Sequence, residues 1–440
     1  MNFPVSPRLA APRSLTLAIA GLGLLAGCAT QAPVPVQPAP APAQPAPTAP
    51  AVAPGLPVPA GEPIQVKPLP PVPAPAPQAA PAPARPAMIG EKDAKAMIAR
   101  YIPAKAPDRM GWAGDIYVAF ATMRITVSPQ NICSAVAVIE QESSFQADPV
   151  VPGLGNIVWQ EVEKKAGKYH IPLAVVKTAL LKPSKDGRSY KSRIDGLRTE
   201  KEMDELFHEI MGEIPHGEKL FAQKDPVKTA GPMQVSVDFA REHMKTRPYP
   251  YRHGGDIRPE VFTRHGGVYF GVADLLDYPV TYSHPIYRFA DYNGGRYSSR
   301  NAAFQSALAL LAHKSLAPDG DLLRYDGNNQ PSRETSATQK LLYGLTGKLG
   351  MSKSEIDRDL RLEKEPGFAQ TPLYQRLFAL ADKAAGRPLT KEMFPRIDLK
   401  SPKIHHHLTT EWFAHKVDAK YQACLARVPM PTAPTPQPSL

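Results

Sequence analysis

Along the chain, apolar positions recur at helical spacing in one segment after another, and sustained strand-like alternation is scarce. The clearest start is Ser128-Pro129, an N-cap followed by proline at the first helical position, leading into Ile132, Ala135, Val136 and Ile139. Helices are predicted across Val268 to Leu276, Ala302 to His313, and Leu373 to Ala385, the last capped by Thr371-Pro372 and stopped by Gly386. A further helix runs from Thr410 to about Arg427, with Phe413, Val417, Tyr421, Cys424 and Val428 on one face. Helical patterns also cover Ile171 to Leu181 and Glu202 to Met211, while Gly/Pro/Tyr-rich loops such as Tyr249 to Gly255 interrupt them. The pattern predicts a mainly α fold with room for one short hairpin.

The first ninety or so residues read differently. Ser14 to Leu25 is an apolar run behind Arg8 and Arg13, long enough for a signal-peptide core and short of the ~20 residues that span a bilayer. From Gln31 to Ala87 the chain is mostly Pro and Ala, with only Glu62, Lys67 and Arg85 charged. Such a segment buries no core and forms an extended tether, with a reach on the order of 180 Å in polyproline form. Composition turns Pro-rich again after Val428.

The chain carries a formal charge of +11. In an exported protein a basic balance fits polyanionic partners such as peptidoglycan carboxylates or anionic lipid heads, but the charges are spread along the sequence, which fits a solvated surface equally well; no nucleic-acid partner is expected in that compartment. Apart from Cys28 the cysteines are Cys133 and Cys424. An oxidising compartment allows them to pair, and two buried free thiols are the alternative. There is no C-x-x-C and no H-E-x-x-H, and His405-His406-His407 reads as a solvated turn, so neither metal nor cofactor is expected.

Two carboxylates sit on the Ser128 helix. At about 100° per residue, Glu142 lies roughly 40° from the centre of the apolar stripe and Glu140 roughly 120°. Ser143-Ser144-Phe145 and Asp148-Pro149 should end the helix and leave Glu142 in its last turn, at the rim of a cleft. A carboxyl at an apolar boundary resists ionisation, which suits a general acid. Thr229-Ala230-Gly231-Pro232-Met233-Gln234 is a tight turn that delivers a Gln amide, a two-way hydrogen-bonding group suited to sugar hydroxyls and acetamides. Ala290-Asp291-Tyr292-Asn293-Gly294-Gly295 places a Tyr and an Asn before a glycine pair.

Ile139-Glu140-Gln141-Glu142-Ser143-Ser144-Phe145, Gly231-Pro232-Met233-Gln234 and Ala290-Asp291-Tyr292-Asn293-Gly294, taken in order, resemble the three motifs of Slt-type lytic transglycosylases, which have a lysozyme-like fold. Gly266-Gly267-Val268-Tyr269-Phe270 is similar to that family's Gly-x-x-Tyr-Leu helix. The resemblance implies Glu142 as catalytic acid/base, Ser143 as its support, and Gln234, Tyr292 and Asn293 lining the sugar site. It implies cleavage between N-acetylmuramic acid and N-acetylglucosamine to a 1,6-anhydro product, a lyase reaction with no cofactor. Leu25-Ala26-Gly27-Cys28 resembles a bacterial lipobox, which implies acylation of Cys28, and Ala29 implies sorting to the outer membrane, facing the periplasm. The whole arrangement also resembles an uncharacterised bacterial lipoprotein family. The implied partners are peptidoglycan glycan strands and, through the anchor, the membrane; no protein partner is legible.

The resulting organisation is a signal peptide at 1–27, the lipidated Cys and tether at 28–87, and a lysozyme-like domain at 88–317 with a large insert at about 149–228. A C-terminal helical extension follows at 318–428 and a tail at 429–440. Pro232 departs from the family's Leu, Asp291 is an extra residue, and about ninety residues separate Glu142 from Gln234 where the family has a short loop. Two other functions fit the same residues: a hydrolytic muramidase whose second carboxylate is Asp148, Glu161 or Glu163, and a wall-binding scaffold without turnover.

Overall fold

The computed structural model describes residues 90–214, 225–326, 330–399 and 407–428. The signal peptide, Cys28, the tether, His405, His406 and the tail lie outside the described residues. Among those described, the fold is mainly α: seventeen α-helices, one short 3-10 helix and two antiparallel pairs of two-residue strands. None of these helices is long and apolar enough to cross a membrane.

Three hydrophobic clusters organise the helices. The first gathers α1 (Glu91–Tyr101), α2 (Arg109–Met123), α3 (Pro129–Glu142), α8 (Val237–Thr246), α9 (Arg258–Val261), α10 (Arg264–Leu276), α11 (Ile286–Gly294) and α17 (Thr410–Ala426). The second is built by α12 (Ser298–Ala312) together with α13 (Ala337–Tyr343), α14 (Thr346–Leu349), α15 (Lys353–Leu360), the 3-10 turn Pro366–Gln370 and α16 (Pro372–Ala385). The third belongs to the segment between Glu142 and Gln234. There α4 (Leu154–Gly167), α5 (Leu173–Ala179), α6 (Tyr190–Asp195) and α7 (Glu200–Gly212) close on Val158, Val162, Phe207 and Ile210. The insert therefore carries a core of its own.

Helix α3 is the axis of the first cluster. Ser128 caps it by accepting from the Asn131 N–H, with Pro129 at its first position. Every residue from Ile132 to Ile139 is buried, Ser134 and Ala137 included, so the helix has no solvent face over two turns. The expected one-sided stripe is thus a minimum. The residues on its back, Ala and Ser, are small enough to admit neighbouring helices. One of them is α17, joined to α3 by the Cys133–Cys424 disulfide across a sequence separation of 291. Glu140 reaches the same helix end, pairing with Arg427 at 2.9 Å, while Arg427 also donates to the Tyr101 carbonyl.

Caps account for most other boundaries. Thr371 caps α16, which ends at Gly386 in the left-handed conformation. A capping box formed by Thr199 and Glu202 begins α7 at Glu200, two residues earlier than its apolar pattern suggests.

Candidate functional site

The helix bearing Glu142 stops abruptly. The Ser143 N–H and hydroxyl both return to the Ile139 carbonyl, and the next two residues, Ser144 and Phe145, have φ of 50° and 63°. Left-handed backbone at consecutive non-glycine residues costs on the order of 1–3 kcal/mol each and persists only where packing enforces it. Phe145 supplies that packing: it is buried and sets its edge against Trp112 at 5.3 Å. Glu142 is left half-buried at the turn. Ser143 is spent on the helix end, so its hydroxyl is a terminator of α3 rather than a ligand aimed outward.

The second motif is the tip of a hairpin. Strands β1 (Thr229–Ala230) and β2 (Val235–Ser236) pair antiparallel, with Gly231 at φ 74° between them. A Cβ on Gly231 would stand 2.2 Å from the Val261 carbonyl, so only glycine allows this approach. The tip packs on α10, where Gly271 leaves the space that Met233 fills. Gln234 has φ 52°, a third left-handed non-glycine residue at the site. Its Oε1 accepts from Thr229 Oγ1 at 3.1 Å, and its Nε2 donates to Glu200 Oε2 at 2.9 Å and weakly to the Gly231 carbonyl at 3.4 Å.

The third motif comes from α11. The Tyr292 hydroxyl donates to the Met233 carbonyl at 2.7 Å, bridging α11 to the hairpin tip. Burial, then the charges of Asp274 and Glu142, hold its phenol far above the ordinary range. Tyr292 thus touches the second motif and feels the first. Asn293 does not join them: its Oδ1 accepts from Thr410 Oγ1 at the start of α17, 2.7 Å away. The extra residue Asp291 is a structural centre. It is buried and accepts from the Tyr278, Tyr282 and Ser298 hydroxyls and from the Tyr297 and Ser299 N–H groups that open α12. Burial still pushes its carboxyl upward.

Sequence reasoning missed two groups here. Asp274, on α10, pairs with Arg296 at 3.1 Å, and burial pushes its carboxyl up to about 6. Glu200 comes from the insert, where the Thr199-x-x-Glu202 capping-box pattern was the one signal that could have placed it at a helix start. Asp148 also lies in this region: burial raises its carboxyl, against hydrogen bonding by Thr199, and Glu200 and Glu202 add to the rise. Glu161 and Glu163 sit on α4, Glu161 beside Lys164 at 3.7 Å.

A buried ion network holds the insert to the first cluster. Arg258 Nε donates to Asp204 Oδ1 at 2.8 Å, Arg258 Nη2 lies 2.8 Å from Asp225 Oδ2, and His208 Nε2 is 3.0 Å from the same Asp225 oxygen. Asp204, His208 and Asp225 have the spacing of metal ligands, but the Arg258 guanidinium stands among their oxygens as the cation. A cavity of about 270 Å³ opens elsewhere, lined by Thr122, Met123, Arg124, Arg247, Pro248 and Tyr269, and none of the five candidate residues lines it.

Residues 105–427 match the family described as protein of unknown function (DUF1615). The chain belongs to this family. The DUF1615 match takes in Glu142, the insert, both motif turns and both bonded cysteines. The chain is also similar to "Uncharacterized protein YaiW" of Escherichia coli (strain K12), 45% identical over 343 residues, covering 78% of this chain and 92% of that protein. No solved structure matches the chain.

Proposed function

We propose that this DUF1615 chain is a lipid-anchored outer-membrane protein that cleaves peptidoglycan glycan strands by a single-acid lytic transglycosylase reaction, on a lysozyme-like helical domain. The observation that carries the reading is Tyr292. Its hydroxyl holds the Met233 carbonyl, and after burial and Asp274 the Glu142 charge helps keep its phenol protonated, which supports a common locality for three motifs up to 150 residues apart. Left-handed backbone at Ser144, Phe145 and Gln234 marks the same locality, and such strain concentrates where geometry serves a site.

In this mechanism Glu142 gives its proton to the glycosidic oxygen as the bond to the muramic acid anomeric carbon breaks. The resulting carboxylate takes the proton of the sugar's own C6 hydroxyl, which attacks that carbon and closes the 1,6-anhydro ring. Intramolecular attack replaces the second carboxylate that ordinary glycosidases need. The half-buried position of Glu142 suits a group that must hold a proton and then release it. The test is turnover and wall binding measured on purified sacculi: Glu142→Gln should abolish release of glycan fragments and keep binding. Release by the Glu142→Gln chain at the parent rate would rule out the assignment.

A specific observation also favours the scaffold reading. Three groups expected to serve the site are engaged within the protein: Ser143, the support of Glu142, with Ile139, and two sugar-lining groups, Asn293 with Thr410 and Gln234 with Glu200. A parent chain that binds sacculi and releases nothing would select it. The hydrolytic reading rests on Asp148, whose ionisation burial resists, beside Glu200.

A further inference from the structure

The insert does more than lie beside the second motif. Gln234 is the group expected to recognise a sugar acetamide, and both ends of its amide are engaged: Oε1 by Thr229, and Nε2 by Glu200 at 2.9 Å with a long contact to the Gly231 carbonyl. A carboxylate is a stronger acceptor for an amide N–H than a neutral carbonyl oxygen. A sugar acetamide must therefore displace Glu200 to reach that hydrogen.

Both partners are held in place. Glu200 opens α7, whose first turn is fixed by the Thr199 and Glu202 capping box. One turn on, Asp204 of the same helix is gripped by Arg258, which also binds Asp225 and the Val227 carbonyl at the base of β1. Gln234 is fixed in turn by its left-handed backbone and by the Met233 to Tyr292 hydrogen bond. The contact joins two braced elements 34 residues apart in sequence.

We infer that Glu200 occupies, at Gln234, the place of a saccharide acetamide oxygen, so that the insert gates this subsite and sets the affinity for N-acetylated glycan. The inference rests on the saccharide reading of the Glu142 site. Removing the carboxylate frees the Gln234 donor, and removing only its charge weakens the competitor without emptying the space.

The experiment measures binding of a soluble N-acetylglucosamine oligomer to the Glu142→Gln chain, where no turnover intervenes, with and without a change at Glu200. Glu200→Ala should bind roughly tenfold more tightly, the scale of one hydrogen bond to a charged group. Glu200→Gln, which keeps the size of the side chain and the start of α7, should fall between. Equal or weaker binding by Glu200→Gln in a chain with the parent's circular dichroism overturns the inference, as does a failure of parent and variants alike to bind the oligomer. The two readings fail separately. A parent that cleaves sacculi while the Glu200 variants leave affinity unchanged removes the gate and keeps the enzyme. Tighter binding by the variants of a parent that never cleaves keeps the gate and removes the enzyme.

Discussion

The Tyr292 hydroxyl lies 2.7 Å from the Met233 carbonyl and donates to it, tying the helix of the third motif to the hairpin of the second. Tyr292→Phe keeps the ring and leaves that carbonyl without its donor. The expected cost is about 1–2 kcal/mol by chemical denaturation, with a larger proportional loss of turnover than of wall binding. An unchanged stability would show that the bond contributes nothing to holding the turn.

Cys133 and Cys424 staple the last helix to the one that presents Glu142. Thiol labelling of the unreduced protein should find neither cysteine. Replacing both by alanine should lower unfolding free energy by about 2–5 kcal/mol, with amide exchange rising first in α17. Labelling of both cysteines in the folded chain would contradict the pairing.

The turn after Glu142 makes a prediction in the opposite direction. Ser144 has φ 50°, a region in which glycine loses nothing and other residues are strained. Ser144→Gly should raise stability by about 1 kcal/mol. A drop would mean that the left-handed turn is relaxed as it stands.

Glu363 gives stability a pH dependence. It is fully buried, accepts from the Leu322 N–H and the Tyr325 hydroxyl, and burial pushes its carboxyl up to about 7 from 4.5. Between these values the folded chain holds a proton that the unfolded chain has released, so stability is greatest below about 4.5 and falls as pH rises toward 7. The loss is on the order of 3 kcal/mol. Asp274, raised to about 6 from 3.8, adds a fall of the same sign at lower pH. Denaturation between pH 4.5 and 7.5 should show Glu363→Gln with a flatter profile than the parent; parallel profiles would contradict the assignment.

Much of this architecture was legible because caps are local. Ser128-Pro129, Thr371-Pro372 and Gly386 mark helix ends through their own backbone chemistry, and the structure places those ends there. The full burial of α3 was not legible, because Ser134 and Ala137 look neutral until α17 arrives from 291 residues away to cover the helix. Local motifs placed Glu142 at the end of its helix, since that needs only its own turn, whereas Tyr292 was grouped with Gln234 by family resemblance and its bond to Met233 spans 59 residues that no local pattern bridges. Asn293 was assigned by analogy to sugar and is held instead by Thr410, a partner no short window contains. Glu200 escaped for the same reason: its contact with Gln234 exists only once the insert has folded on its own core.

The most direct measurement is mass spectrometry of fragments released from purified peptidoglycan by the parent chain and by Glu142→Gln. The single-acid mechanism gives muramoyl ends lighter by one water than reducing ends, from the parent alone. Reducing ends from the parent, or anhydro ends undiminished in Glu142→Gln, would contradict it.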